Sequence, residues 1–167
     1  MASDVDFGAL ERVLGKRLIG ASRIMYEHDG VVEVSCGDLE LVFSGGDLVL
    51  FEVAGDGGRL RMQETAWRDP FAPPLDAENE EYVRQSGKYV RLDAREVGPT
   101  LPVGESLVRY FPIRNQFGTV AGVRLEFAGS AVRFLVEGDE AYVMTPEDPR
   151  FTEWGFTEGD AFSSPAA

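Results

Sequence analysis

From Arg17 onward the apolar residues stop recurring with a helical period and begin to alternate with polar ones. "RLIGASRIMY" (Arg17–Tyr26) and "VVEVS" (Val31–Ser35) read as strands joined by the turn "EHDG". Ahead of them Phe7, Leu10 and Leu14 share one helical face. Ser3 and Asp6 fit a capping pattern, and Gly15 is placed to stop the helix.

The strand pattern is then written twice. "LELVFSGGDLVLFEVAGDGGRLRM" runs from Leu39 to Met62, and "VRLEFAGSAVRFLVEGDEAYVM" runs from Val123 to Met144. Leu41 corresponds to Leu125, Phe43 to Phe127, Gly45 to Gly129 and Leu48 to Val132, at a constant offset. After one extra residue in the first copy, Gly55-Asp56 corresponds to Gly138-Asp139. Each copy carries a hairpin turn that tolerates positive φ (Gly45-Gly46, Gly129-Ser130), a second turn and a closing Met. Upstream, "LVRYFPIRNQFGTVAGV" stands where "LIGASRIMYEHDGVVEV" stands in the first copy.

The expected fold is therefore mainly β. It is an antiparallel sandwich or curved barrel-like sheet built from two degenerate β-meander copies, with one short N-terminal helix. Residues 1–167 are expected to form a single domain: first meander copy 17–63, Pro-rich acidic insertion 64–105, second copy 106–145, acidic C-terminal tail 146–167. Pro70, Pro73, Pro74, Pro99 and Pro102 confine regular structure in the insertion to a turn of helix near Asp76–Tyr82 and a strand near Lys88–Leu92. The last residues of the tail are expected to be mobile.

Strand side chains alternate between faces, so pairing Phe127 with Val132 also sets Glu126 opposite Arg133. Val123, Leu125, Phe127, Val132, Phe134 and Val136 then point inward, and Arg124, Glu126, Arg133, Leu135 and Glu137 point to water. The same alignment gives the first copy an outer face of Glu40, Val42, Val49, Phe51 and Val53. Leaving four apolar side chains in water would forgo on the order of 1.5 to 3 kcal/mol each. Val42, Val49, Phe51 and Val53 are thus expected under a cover or at an apolar interface. The candidate covers are the N-terminal helix, the Trp67–Leu75 segment, a second subunit of a homodimer, or a protein partner.

Charge changes the picture of what such a scaffold could bind. The 167 residues carry 16 Lys and Arg against 29 Asp and Glu, a net −13. Nucleic-acid and anionic-membrane binding draw on clustered cations, so this balance points away from both and toward a basic protein partner. Cys36 is the one cysteine, so no intramolecular disulfide forms. The N-terminus lacks the basic and apolar regions of a signal peptide, and no apolar run approaches the ~18 residues of a membrane span. A cytoplasmic location is expected.

Candidate chemistry adds little. His28 is the only histidine, no G-x-S-x-G surrounds a serine, and one Cys with one His cannot make a zinc site. "DAENEEY" (Asp76–Tyr82) lacks the alternation and central Gly of a calcium loop. No carboxylate pair stands out by spacing, so no catalytic residue, metal ligand or cofactor site is expected. The insertion does carry a candidate contact set: Asp76, Glu78, Glu80 and Glu81 to steer a basic partner, with Trp67 and Tyr82 as anchors.

The phrase "GVRLEFAGSAVRFLVEGDEAYV" resembles strand-turn-strand phrases in small, acidic, β-rich bacterial proteins, among them toxin-immunity proteins. It covers about twenty residues and transfers no functional residue. The resemblance implies a non-enzymatic binding module that neutralises a basic toxin or effector through an acidic surface. Two alternatives stand beside it: a small-molecule-binding β-barrel with residues 64–105 as its lid, and a hydrolase-like enzyme using acidic residues.

Overall fold

In the computed structural model, which describes residues 5–163, the chain opens on helix α1 (Gly8–Val13) and then builds two antiparallel sheets. The first sheet contains β1 (Leu18–His28), β2 (Val31–Val32), β3 (Asp38–Phe43), β4 (Leu48–Val53) and β5 (Leu60–Gln63). The insertion contributes helix α2 (Ala77–Ser86) and strand β6 (Lys88–Asp93), which pairs with β1. The second sheet contains β7 (Leu107–Arg114), β8 (Val120–Phe127), β9 (Ala131–Glu137) and β10 (Glu140–Met144). A short helix α3 (Arg150–Glu153) follows, and then β11 (Thr157–Glu158) and β12 (Phe162–Ser163), which both pair with β7.

Strands β1-β3-β4-β5 form one meander and β7-β8-β9-β10 the other. Their inner faces meet in one core that includes Leu39, Leu41, Phe43, Val49 and Phe51 from the first sheet and Leu125, Phe127, Val132, Phe134 and Val136 from the second. The sheets face each other and do not close into a barrel. Helix α1 joins that core through Leu10 and Val13. Phe7 and Phe162 both stack on the buried Tyr110, at 5.3 and 5.2 Å between centroids. Asp6 accepts from Gly8 N at 2.8 Å at the helix start. Ser3 and the final residues expected to be mobile lie outside the described residues.

The two halves are related by an approximate two-fold exchange at the point where β1 and β7 begin. Arg17 and Ser106 form an antiparallel bridge. Around it, Leu107 N donates to Lys16 O and Leu18 N to Glu105 O, while Gly15 N donates to Leu107 O and Gly104 N to Leu18 O. Exchanging residues 15–18 with 104–107 maps each bond of a pair onto the other. The equivalent hairpins obey the same exchange, since Ser44 N donates to Arg17 O and Ala128 N to Ser106 O. Phe51 and Phe134, at equivalent positions, meet each other at 5.6 Å in the core.

The register of the first hairpin corrects the face assignment made from the sequence. Leu41 pairs with Val49, as Leu125 pairs with Val132, so the extra residue of the first copy sits inside its hairpin loop. Phe43 N closes onto Asp47 O across three residues, two of them Gly45 and Gly46 at φ 88° and 86°, whereas Phe127 N closes onto Ser130 O across two. A one-residue shift turns every side chain of a strand to the opposite face. Val49 and Phe51 are accordingly core residues at 0% exposure, and Val53 packs against the core. Only Val42, half-buried, lies on the outer face, so these four residues do not form an apolar interface. The true outer row is Glu40, Val42, Leu48, Leu50 and Glu52.

In the second copy the six residues expected inside are all buried. Arg124, however, pairs with Arg133, and Glu126 with Ala131. That outer face is not open to water. Leu135 there is fully buried in a second cluster with Ile113, Ala121, Met144 and Phe156, against which Phe151 and Trp154 pack. Strand β2 stops at Val32, short of the expected Ser35, because Glu33 Oε1 accepts from Ser35 N at 3.0 Å and draws the backbone out of the ladder.

Candidate functional site

The insertion and the tail do the same structural job on opposite sides of the molecule. Each leaves the last strand of its meander, runs over the outer face of its own sheet, and ends as an edge strand beside the first: β6 on β1, and β11 and β12 on β7. On the first sheet the crossing is held by Glu40, whose side chain is 6% exposed. Its Oε2 accepts from Trp67 N at 2.8 Å and from Arg91 Nη2 at 2.9 Å. Arg91 also donates to Trp67 O at 2.8 Å, and its guanidinium lies 5.7 Å from the Trp67 ring centre. A charge buried on a sheet face needs this degree of pairing to be tolerated. Trp67, half-buried and fixed by its own backbone, covers the outer face near Leu50.

Beyond Trp67 the insertion is tied down at intervals. Lys88 Nζ meets Asp69 Oδ2 at 2.9 Å, Phe71 stacks on Tyr82 at 5.3 Å, and Tyr26 OH donates to Ser86 O. Helix α2 is capped by Asp76, which accepts from Asn79 N at 2.8 Å. The expected turn of helix is thus a full element, ending where Gly87 donates back to Val83 O. None of its residues is buried.

The residues singled out for partner binding stand in three different states. Asp76 is engaged as the cap, and Glu81 is engaged by Arg84 and Gln85 of its own helix. Glu78 and Glu80 project from the first turn and are exposed. Tyr82 is 53% exposed with one ring face on Phe71, and Trp67 is a fastening first and a contact surface second.

Packing also assembles a cleft that spacing did not reveal. Asp38 from β3, Glu52 from β4, Tyr89 from β6 and Glu140 from β10 line a cavity of about 240 Å³. Burial, and then the charge of Glu52, push the Asp38 carboxyl up to about 7 against the pull of Arg23. A carboxyl in that range can give or take a proton near neutral pH. Glu52 is already committed to Arg61, at 3.2 Å, and to Gln63, and neither a serine nor the histidine lines the cleft. Burial, with Glu140 next, lifts the nearby Cys36 thiol to about 11, so it stays protonated and a poor nucleophile. His28 ends β1, with Nε2 3.3 Å from Arg84 O, away from that cleft. Among the described residues no three His, Cys, Asp or Glu side chains converge to hold a metal ion.

The barrel-with-lid alternative meets a direct obstacle. The interior between the sheets is filled by Phe43, Phe51, Phe134 and their neighbours, and the insertion lies on an outer face instead of over a barrel mouth. No helix among the described residues is long and apolar enough to cross a membrane. Compared with known proteins, the chain matches no family model, no curated protein and no solved structure.

Proposed function

We propose that the protein is a non-enzymatic binding module that takes a basic protein surface onto the acidic face carried by the insertion, as an immunity protein takes a toxin or effector. The observation behind this is helix α2 itself. It is ordered by a cap, a ring stack and contacts to β1, yet it buries no residue and adds nothing to the core. A polar helix held in place in this way is suited to presentation. Glu78 and Glu80 lead the approach and Tyr82 supplies the adjoining aromatic surface. The net charge of −13 adds long-range attraction for a cationic partner.

The test compares the native chain with a Glu78→Lys/Glu80→Lys double variant as bait in native lysate. The reversals touch no core residue, and circular dichroism confirms retained structure. The native chain should hold a stoichiometric basic protein at low salt and lose it toward physiological ionic strength, and the variant should not hold it. A partner retained equally by both baits, or indifferent to salt, rules this face out.

A further inference from the structure

Arg23 is the anomaly among the buried charges. It sits on β1 at 2% exposure, where its neighbours across the sheet are Leu39 and Leu92. The two other buried charged residues among those described, Glu40 and Arg133, have ion-pair partners at 2.9 and 2.8 Å. Arg23 has no carboxylate within ion-pair distance among the described residues. Its guanidinium donates only to main-chain oxygens: Gly37 at 3.2 Å, Asp38 at 3.3 Å and Gly98 at 3.4 Å. All three are longer than a typical N–H···O bond, and a guanidinium carries five N–H groups. Two of them find no acceptor among the described residues. Asp38 attracts the guanidinium from beyond ion-pair distance, and a buried cation short of acceptors destabilises the fold.

Arg23 also lines an open pocket of about 420 Å³, together with Arg150, Thr145, Val143 and Met144. Arg150 is held by Asp148, at 3.0 Å through Nε and 2.7 Å through Nη2, which leaves its Nη1 edge uncommitted among the described residues. Arg150 lies over the Tyr142 and Trp154 rings at 5.7 and 5.5 Å, which fixes its position. Among the described residues two arginines and the one carboxylate of Asp148 line the pocket, with Asp38 acting on Arg23 from outside it. Val143 and Met144, 7% and 1% exposed, give it an apolar wall.

We propose that this pocket binds a small organic anion, a carboxylate or phosphate group on an apolar body, with Arg23 as the buried donor and Arg150 as the second cation. The planar guanidinium fork matches both head groups, and a bound oxyanion supplies the acceptors that Arg23 lacks. The apolar body lies along Val143 and Met144. This site is separate from the α2 face and does not depend on the partner proposed for it.

Calorimetry with benzoate and with inorganic phosphate as probes, against sodium chloride at matched ionic strength, tests the idea. One-to-one saturable binding of either probe is expected, with a shift of the Arg23 Nε–H resonance. The probe that binds identifies the head group. Arg150→Gln should weaken binding about tenfold or more, and so should Arg23→Lys, which keeps the charge but loses the fork. Arg150→Gln leaves β1 untouched and stays informative if the Arg23 variant unfolds. No saturable binding of either probe overturns the proposal, and so does binding that Arg150→Gln leaves unchanged. In either case Arg23 is a clamp on three carbonyls and nothing more.

Discussion

A single carboxyl shows how far position overrides residue type. Asp38 opens β3 and would be an ordinary solvated acid in isolation, but burial and Glu52 raise it from 3.8 to about 7. The folded state therefore binds a proton that the unfolded chain has already released between about pH 4 and pH 7. Stability from this group falls as pH rises through that window and levels off above it. Asp38→Asn should remove the slope and stabilise the protein at pH 8 by up to about 4 kcal/mol. Urea unfolding of both proteins from pH 4 to pH 8 checks it, and parallel pH profiles would sink the assignment. Gly37, the neighbour of Asp38, is fixed by close approach: a Cβ there would lie 2.5 Å from Ile24 O. Neither fact is visible in "SCGDLE", because both depend on strands that arrive from elsewhere in the chain.

At the level of elements, the crossings over the two outer faces are the decisive features. Strands β8 and β9 place Arg124 directly opposite Arg133, a like-charge pair that destabilises a sheet when left alone. Glu158 of β11 resolves it: Oε1 accepts from Arg133 Nη2 at 2.8 Å and Oε2 from Arg124 Nη1 at 3.4 Å. Arg133 further donates to Pro146 O, and its guanidinium sits 3.7 Å from the Phe151 ring centre. The tail is thus held by the charges of the sheet it covers. Glu158→Gln should cost about 2 kcal/mol, between the values for an exposed and a fully buried pair, and should loosen β11. Faster amide exchange confined to β11 and β12 alongside a lower denaturation midpoint is the expected signature. A midpoint unchanged from the native protein would show that the tail is held by its aromatic residues alone. On the first sheet, Glu40 plays the matching part for Trp67. Neither crossing segment contains a long apolar stretch. The apolar contacts come instead from scattered residues: Trp67 on one side, and Phe151, Trp154 and Phe156 on the other.

The whole molecule is two copies of one unit joined about the Arg17–Ser106 bridge, with Phe51 and Phe134 meeting in the shared core. Phe51→Ala should therefore cost about 3 to 5 kcal/mol, and Val42→Ala under about 1. Equal costs in chemical denaturation would return Phe51 to the outer face that the sequence alignment first gave it. The repeat, the mainly β architecture, the N-terminal helix and the strand near Lys88 were all legible from alternation and turn residues, which are local properties. The facing of β4 was not. Leu48, Val49, Leu50 and Phe51 are apolar in succession, so the period of two has no phase there, and only the pairing of Leu41 with Val49 supplies one. The same limit governs the sites. Sequence alone determined that acidic residues cluster from Asp76 to Glu81, because neighbours in the chain remain neighbours in a helix. Only the tertiary structure brought Asp38 to Glu52 and Glu140, and buried Arg23 beside Arg150 and Asp148 with no direct ion pair of its own among the described residues. Those groups come from different elements, some of them far apart in the chain, and their meeting is set by register and packing, which no local pattern records.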